Sequence, residues 1–134
     1  MHIETFHPEA LGKGYGEYSH ISRVRATEMI YLTGVIATDA DGAMVGKNDM
    51  DRQCQRIFEK IDISLEAAGA GLKNIVQLTM YLADEKDIPA FMSFRQREFP
   101  RLFAGGVYPT SMLIVVRRLF LPEALLAIHA TAAV

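Results

Sequence analysis

The residues best suited to chemistry near neutral pH are His129, Ser111, Arg95 and Cys54. Imidazole titrates closest to neutrality, so His129 can take up and return a proton. Ala127 and Thr131 share its side of an extended segment, which makes that face small and mildly polar. The alternative is a half-buried histidine satisfied by one hydrogen bond. Ser111 and His129 together suggest a hydrolase pair, yet no acid stands behind the histidine and no nucleophile-elbow sequence surrounds the serine. Ser111 therefore reads as a hydrogen-bonding side chain. Arg95 falls on or beside the apolar stripe Ile88, Phe91, Met92, Phe99, Leu102 and Phe103. An arginine there snorkels to solvent, pairs with an acid or points into a cleft. Cys54 lies inside another apolar stripe and reads as a small buried hydrophobe rather than a nucleophile. His2, His7, His20 and His129 have no ligand spacing and no second cysteine nearby, so neither a metal nor another cofactor is expected. The glycine-rich passage Gly12-Lys13-Gly14-Tyr15-Gly16 lacks the strand–loop–helix setting and the Lys-Ser/Thr of a phosphate-binding loop, and reads as a surface loop.

The 134 residues that must position these groups suit one domain, 1–134, with 50% apolar and 22% charged residues, which excludes disorder through weak hydrophobicity. Fourteen Lys plus Arg against sixteen Asp plus Glu, a net charge of −2, argue against a dedicated nucleic-acid binder. The region 95–118 is locally basic, which a solvated helix face explains. In it, Arg117 and Arg118 are adjacent on an expected strand, so one faces solvent while the other can meet an acid across a subunit interface. A single cysteine allows no internal disulfide, and the start Met1-His2-Ile3-Glu4 has neither a basic nor an apolar signal region. A reducing, cytoplasmic setting is expected. The longest apolar run, 112–116, is strand-sized, so no membrane partner is expected.

Alternation predicts a weak strand over 3–7, stopped by Pro8, and stronger ones over 20–26 and 29–37, with a turn at Asp41-Gly42. Apolar residues at Met50, Cys54, Ile57, Phe58, Ile61, Leu65 and Ala68 predict a helix over 49–68, capped by Asn48 and ended by Gly69 and Gly71. A strand over 75–83, a helix over 87–103 with Pro89 in its first turn, and strands over 110–120 and 125–133 complete the pattern. The order β-β-β-α-β-α-β-β predicts an α+β two-layer sandwich: a mainly antiparallel six-stranded sheet with two helices on one face. Two helices cannot hide both faces, so a homo-oligomer closing the bare face is expected.

Several motifs, in order and spacing, resemble the Rid (YjgF/UK114) family over nearly the whole chain. Gly16-Glu17-Tyr18-Ser19-His20 resembles the family's G-P-Y-S-Q, and Ile30-Tyr31-Leu32-Thr33-Gly34-Val35-Ile36 its strand ending S-G-Q-I. Ala67-Ala68-Gly69, followed by Leu72-Lys73-Asn74-Ile75-Val76, Tyr108-Pro109 and the stretch 128–130 complete the likeness. The resemblance implies a chorismate-mutase-like fold, a homotrimer with clefts between subunits, and hydrolysis of reactive enamines and imines to carbonyl compounds and ammonia. It also implies cleft roles for Tyr18, Thr33 and Gly34. Four departures accompany it. Ser111 stands where the family's carboxylate-binding arginine falls, His129 stands where its water-handling glutamate falls, and Met92 takes a cleft asparagine position. Leu113 replaces a frequent cysteine. Because Met92 takes the cleft asparagine position, Arg95 is a candidate to reach the same cleft and replace the missing arginine as an anion anchor, with snorkelling to solvent the preferred expectation.

Imine hydrolysis needs a positioned water, a group that accepts and returns its proton, and donors for the leaving nitrogen. The leading reading is thus a small-molecule deaminase with an intersubunit cleft, His129 as acid/base, and Tyr18, Thr33, Gly34, Met92, Arg95 and Ser111 around the substrate. A non-catalytic metabolite binder is the alternative, supported by loss of the family arginine and glutamate. An RNA-acting protein is a second alternative, disfavoured by the net charge and by the lack of exposed aromatic stacking motifs.

Overall fold

The first two strands form a ladder of their own. β1 (His2–Phe6) pairs antiparallel with β2 (Ile21–Arg25), and this hairpin is separate from the main sheet. The computed structural model describes every residue except Lys13 and Tyr15, so the expected glycine-rich loop lies partly outside the described residues. The main sheet holds β3 (Met29–Tyr31), β4 (Ile75–Leu82), β5 (Thr110–Val115) and β6 (Leu126–Ala133) in the order β3-β6-β4-β5. α1 (Met50–Ala67) and α2 (Ile88–Leu102) join the inner side of this sheet in one apolar cluster. The α+β two-layer class is as expected. The six strands, however, divide into a pair and a four-stranded sheet, and β4–β5 is parallel because α2 crosses between them.

Strict alternation builds the layers. Leu78, Met80 and Leu82 of β4 and Leu126, Ile128, Ala130 and Ala132 of β6 are buried toward the helices. Gln77, Thr79 and Tyr81, with Ala127, His129 and Thr131, occupy the other face. From α1 come Met50, Cys54, Ile57, Phe58, Ile61 and Leu65 as expected, but Ala68 lies past the last turn and is exposed. The helix is capped by Asp49, whose side chain accepts from Arg52 N at 3.0 Å, not by Asn48, which adopts φ 58°. Asp39 Oδ1 accepts from the amides of Asp41 and Ala43 and closes the expected turn, where Gly42 takes φ 86°.

Two strands are shorter than alternation suggests. β5 stops at Val115, so Arg117 and Arg118 lie in an exposed loop rather than on opposite faces of a strand. Arg118 turns onto that loop, donating to the carbonyls of Leu119 and Phe120. β3 stops at Tyr31, yet Val35 still exchanges two backbone hydrogen bonds with Ile128, at 2.9 and 3.0 Å. Three residues, 32–34, thus face two, 129 and 130, between the pairs Tyr31↔Thr131 and Val35↔Ile128. That is a one-residue bulge, carrying Thr33 and Gly34 opposite His129.

Candidate functional site

Arg95 is the most unusual side chain in the core. It is 4% exposed, among Phe91, Phe94 and Phe99, which are buried on the same helix. The snorkelling alternative is therefore excluded. Its Nε and Nη2 both donate to the Glu17 carbonyl, at 3.3 and 2.9 Å, and Nη2 also donates to Ser111 Oγ at 2.8 Å. The guanidinium lies over the rings of Phe99 and Tyr18, 5.0 and 5.6 Å from their centroids. No ion pair reaches it among the described residues, the salt bridges of α2 being those of Arg97 and Arg101 on the exposed side. Burial pulls the guanidinium down from its ordinary value, and the more distant Glu17 carboxylate and Tyr18 phenol push it back up. An arginine remains a cation under those conditions.

Two donors stay uncommitted among the described residues. Nη1 of Arg95 has no hydrogen-bond partner there, and Ser111 Oγ, which accepts from Arg95, keeps its own O–H. A charged N–H and a neutral O–H side by side suit a small anion such as a carboxylate. Met92 and Gly16 close the adjoining hollow, about 190 Å³ in volume, with Glu17, Ser93 and Gln96. A Cβ at Gly16 would meet Met92 Cε at 3.4 Å and Arg95 Nε at 3.9 Å, so the Gly16 backbone lies directly against both side chains. A larger groove of 370 Å³ between α1 and α2 contains none of the candidate residues.

The seven candidate residues fall into two groups. Tyr18, Met92, Arg95 and Ser111 gather on the helix side of edge strand β5, because Ser111 is paired with inward-facing Leu78. His129 is paired with outward-facing Thr79 and half-buried on the open face, beside the Thr33–Gly34 bulge of the opposite edge. Ser111 and His129 therefore lie on opposite faces of the sheet, and no hydrolase pair forms within the chain. Arg97 and Arg101, expected on a solvated face, bind Asp51 and Glu98 there. The sequence reading missed the buried Phe94 and the Glu17 carbonyl, and it missed the meeting of His7 with His20, whose Nδ1 atoms are 2.8 Å apart. Only the continuing register of β1 and β2 could have signalled that last contact.

Comparison with known proteins fits this fold. The sequence profile of the family described as endoribonuclease L-PSP matches residues 9–134. A RutC family protein of Pyrococcus abyssi is 29% identical over 119 residues, covering 89% of this chain and 88% of the relative. A protein of Acinetobacter baylyi named 3-aminoacrylate deaminase RutC is 26% identical over 81 residues, 60% of this chain and 64% of that protein. The crystal structure of a Rid family protein of unknown function from Yersinia pestis covers 100% of both chains with a TM-score of 0.89 and 26% identity. The chain belongs to the Rid (YjgF) family, whose matching profile carries the endoribonuclease L-PSP description.

Proposed function

We propose that the protein hydrolyses small imines or enamines bearing a carboxylate, in a cleft completed by two copies of the chain. The observation that carries this reading is the buried Arg95 guanidinium, without a carboxylate partner among the described residues and hydrogen-bonded to the serine that replaces the family arginine. Arg95 would supply from α2 the charge that relatives carry on β5. The substrate carboxylate accepts from Arg95 Nη1 and Ser111 O–H. A second copy brings the Thr33–Gly34 bulge and His129 to the substrate's other end. An enamine first takes a proton at carbon from solvent and gives one up at nitrogen, becoming the imine. The water oxygen bonds to the imine carbon while His129 takes one water proton and passes it to nitrogen. His129 then moves the remaining hydroxyl proton to nitrogen, the C–N bond breaks, and ammonia leaves as the carbonyl forms.

The test measures ammonia and carbonyl release from imines generated in situ by an amino-acid oxidase, across acidic, neutral and amide side chains. Wild type accelerates release, Arg95→Ala raises KM roughly 10- to 100-fold, and His129→Ala lowers kcat. No acceleration with any of these imines overturns the reading and leaves a metabolite binder. The replacement of the family glutamate by His129 favours that second reading.

A further inference from the structure

We infer that His7 and His20 form a two-imidazole site for a divalent transition-metal cation, Cu2+ or Ni2+ in preference to Zn2+. The β1–β2 ladder ends with Phe6 opposite Ile21, so His7 and His20 are the next opposed positions in the same register. Opposed residues of an antiparallel pair project to one side with Cβ atoms about 5 Å apart, close enough for both rings to reach one ion. The Nδ1 atoms converge to 2.8 Å, with the rings at 80° and their centroids 4.7 Å apart. The backbone is held on one flank by the ladder and on the other by Pro8 at φ −58°. Both rings also rest edge-on against Tyr18, at 6.4 and 5.6 Å, which restricts their rotation.

The separation selects the geometry. Two ligand nitrogens bonded at about 2.0 Å and at right angles stand about 2.8 Å apart, whereas tetrahedral ligands stand about 3.3 Å apart. A square-planar or tetragonal ion matches that separation once each ring turns its Nδ1 lone pair from the shared hydrogen bond toward the ion. The hydrogen bond between the rings uses one Nδ1–H and one lone pair. Metal binding needs both Nδ1 lone pairs, so the Nδ1 proton leaves to solvent and that ring carries its proton on Nε2. His7 is exposed, so water or a small anion can fill the remaining positions. No third His, Cys, Asp or Glu joins the pair among the described residues. Sequence spacing could not reveal the site, because its ligands are thirteen residues apart on two chain segments.

The test is calorimetric titration of the whole protein with NiCl2, repeated with ZnCl2. Wild type binds one Ni2+ per chain, more tightly than Zn2+. His7→Gln and His20→Gln each weaken binding by about tenfold or more. His2→Ala removes any competing site made with the terminal amine, and His129→Ala controls for the open face. Neither alters the affinity. As a readout needing no variant, substoichiometric Ni2+ broadens the imidazole resonances of His7 and His20 in wild type but not that of His129. Unchanged binding in both glutamine variants, loss of binding only in His2→Ala, or broadening confined to other histidines overturns the proposal.

Discussion

Cys54 is wholly buried in the α1 stripe, and burial, aided by nearby Asp51 and opposed by Arg97, pushes its thiol well above the ordinary range. A thiol so placed neither attacks nor oxidises readily. Its ionisation instead affects stability. The unfolded chain loses the thiol proton near pH 8.5, while the native chain keeps it. Above that pH the unfolded state binds fewer protons, so stability falls as pH rises, by roughly 1 kcal/mol per pH unit until the native thiol titrates. Urea midpoints at pH 8 and 9.5 should therefore diverge more for wild type than for Cys54→Ala. Equal divergence would mean that the thiol does not contribute. The burial of Cys54 was legible from its place in the stripe. The burial of Arg95 was not, since charge disfavours burial unless partners exist, and its partners, the Glu17 carbonyl and Ser111, lie 78 and 16 residues away.

Gln53 shows the same limit at the scale of an element. Helical periodicity marks the apolar stripe of α1 but says nothing of a polar residue beside it, and Gln53 is fully buried. Its Nε2 donates to the carbonyls of Gly46 and Glu123, both at 3.0 Å, and its Oε1 accepts from Leu125 N at 2.9 Å. One side chain thereby pins the loop before α1 to the start of β6. Gly46 must be glycine here, with φ 77° and only 2.8 Å between a would-be Cβ and Arg52 Cβ. Gln53→Leu keeps the volume but leaves the Leu125 amide and the Glu123 carbonyl without that partner, while the Gly46 carbonyl still accepts from Asp49 N. It should destabilise the protein by about 2 kcal/mol or more, read from urea unfolding. A loss below about 1 kcal/mol would mean that water replaces these bonds.

At the scale of the molecule, the candidate residues divide between the two edges of one sheet, β3 and β5, about 14 Å apart across three strand spacings. A single copy cannot close one cleft around both groups. The open face between the edges carries exposed Met29, Tyr31 (74%) and Met112 (60%) around His129. These apolar groups favour burial against another copy. Sedimentation should give a trimer for wild type, and Tyr31→Glu or Met112→Glu should shift it toward the monomer and lower any imine hydrolysis in parallel. A monomeric wild type, or charged variants that sediment like it, would count against a shared cleft.

Local pattern determined what local forces control. Alternation and helical stripes marked the α+β class, both helices and most strands, because burial of an apolar face repeats with the period of the backbone. The spaced motifs identified the family, and with it the residues most worth watching. Where strands stop, which ladder each joins and what surrounds a buried charge were left to the tertiary structure. The bulge at Thr33 and Gly34, the separation of Ser111 from His129 and the convergence of His7 on His20 each depend on pairing between distant segments. Such pairing is set by the packing of the whole chain, which no window of neighbouring residues contains.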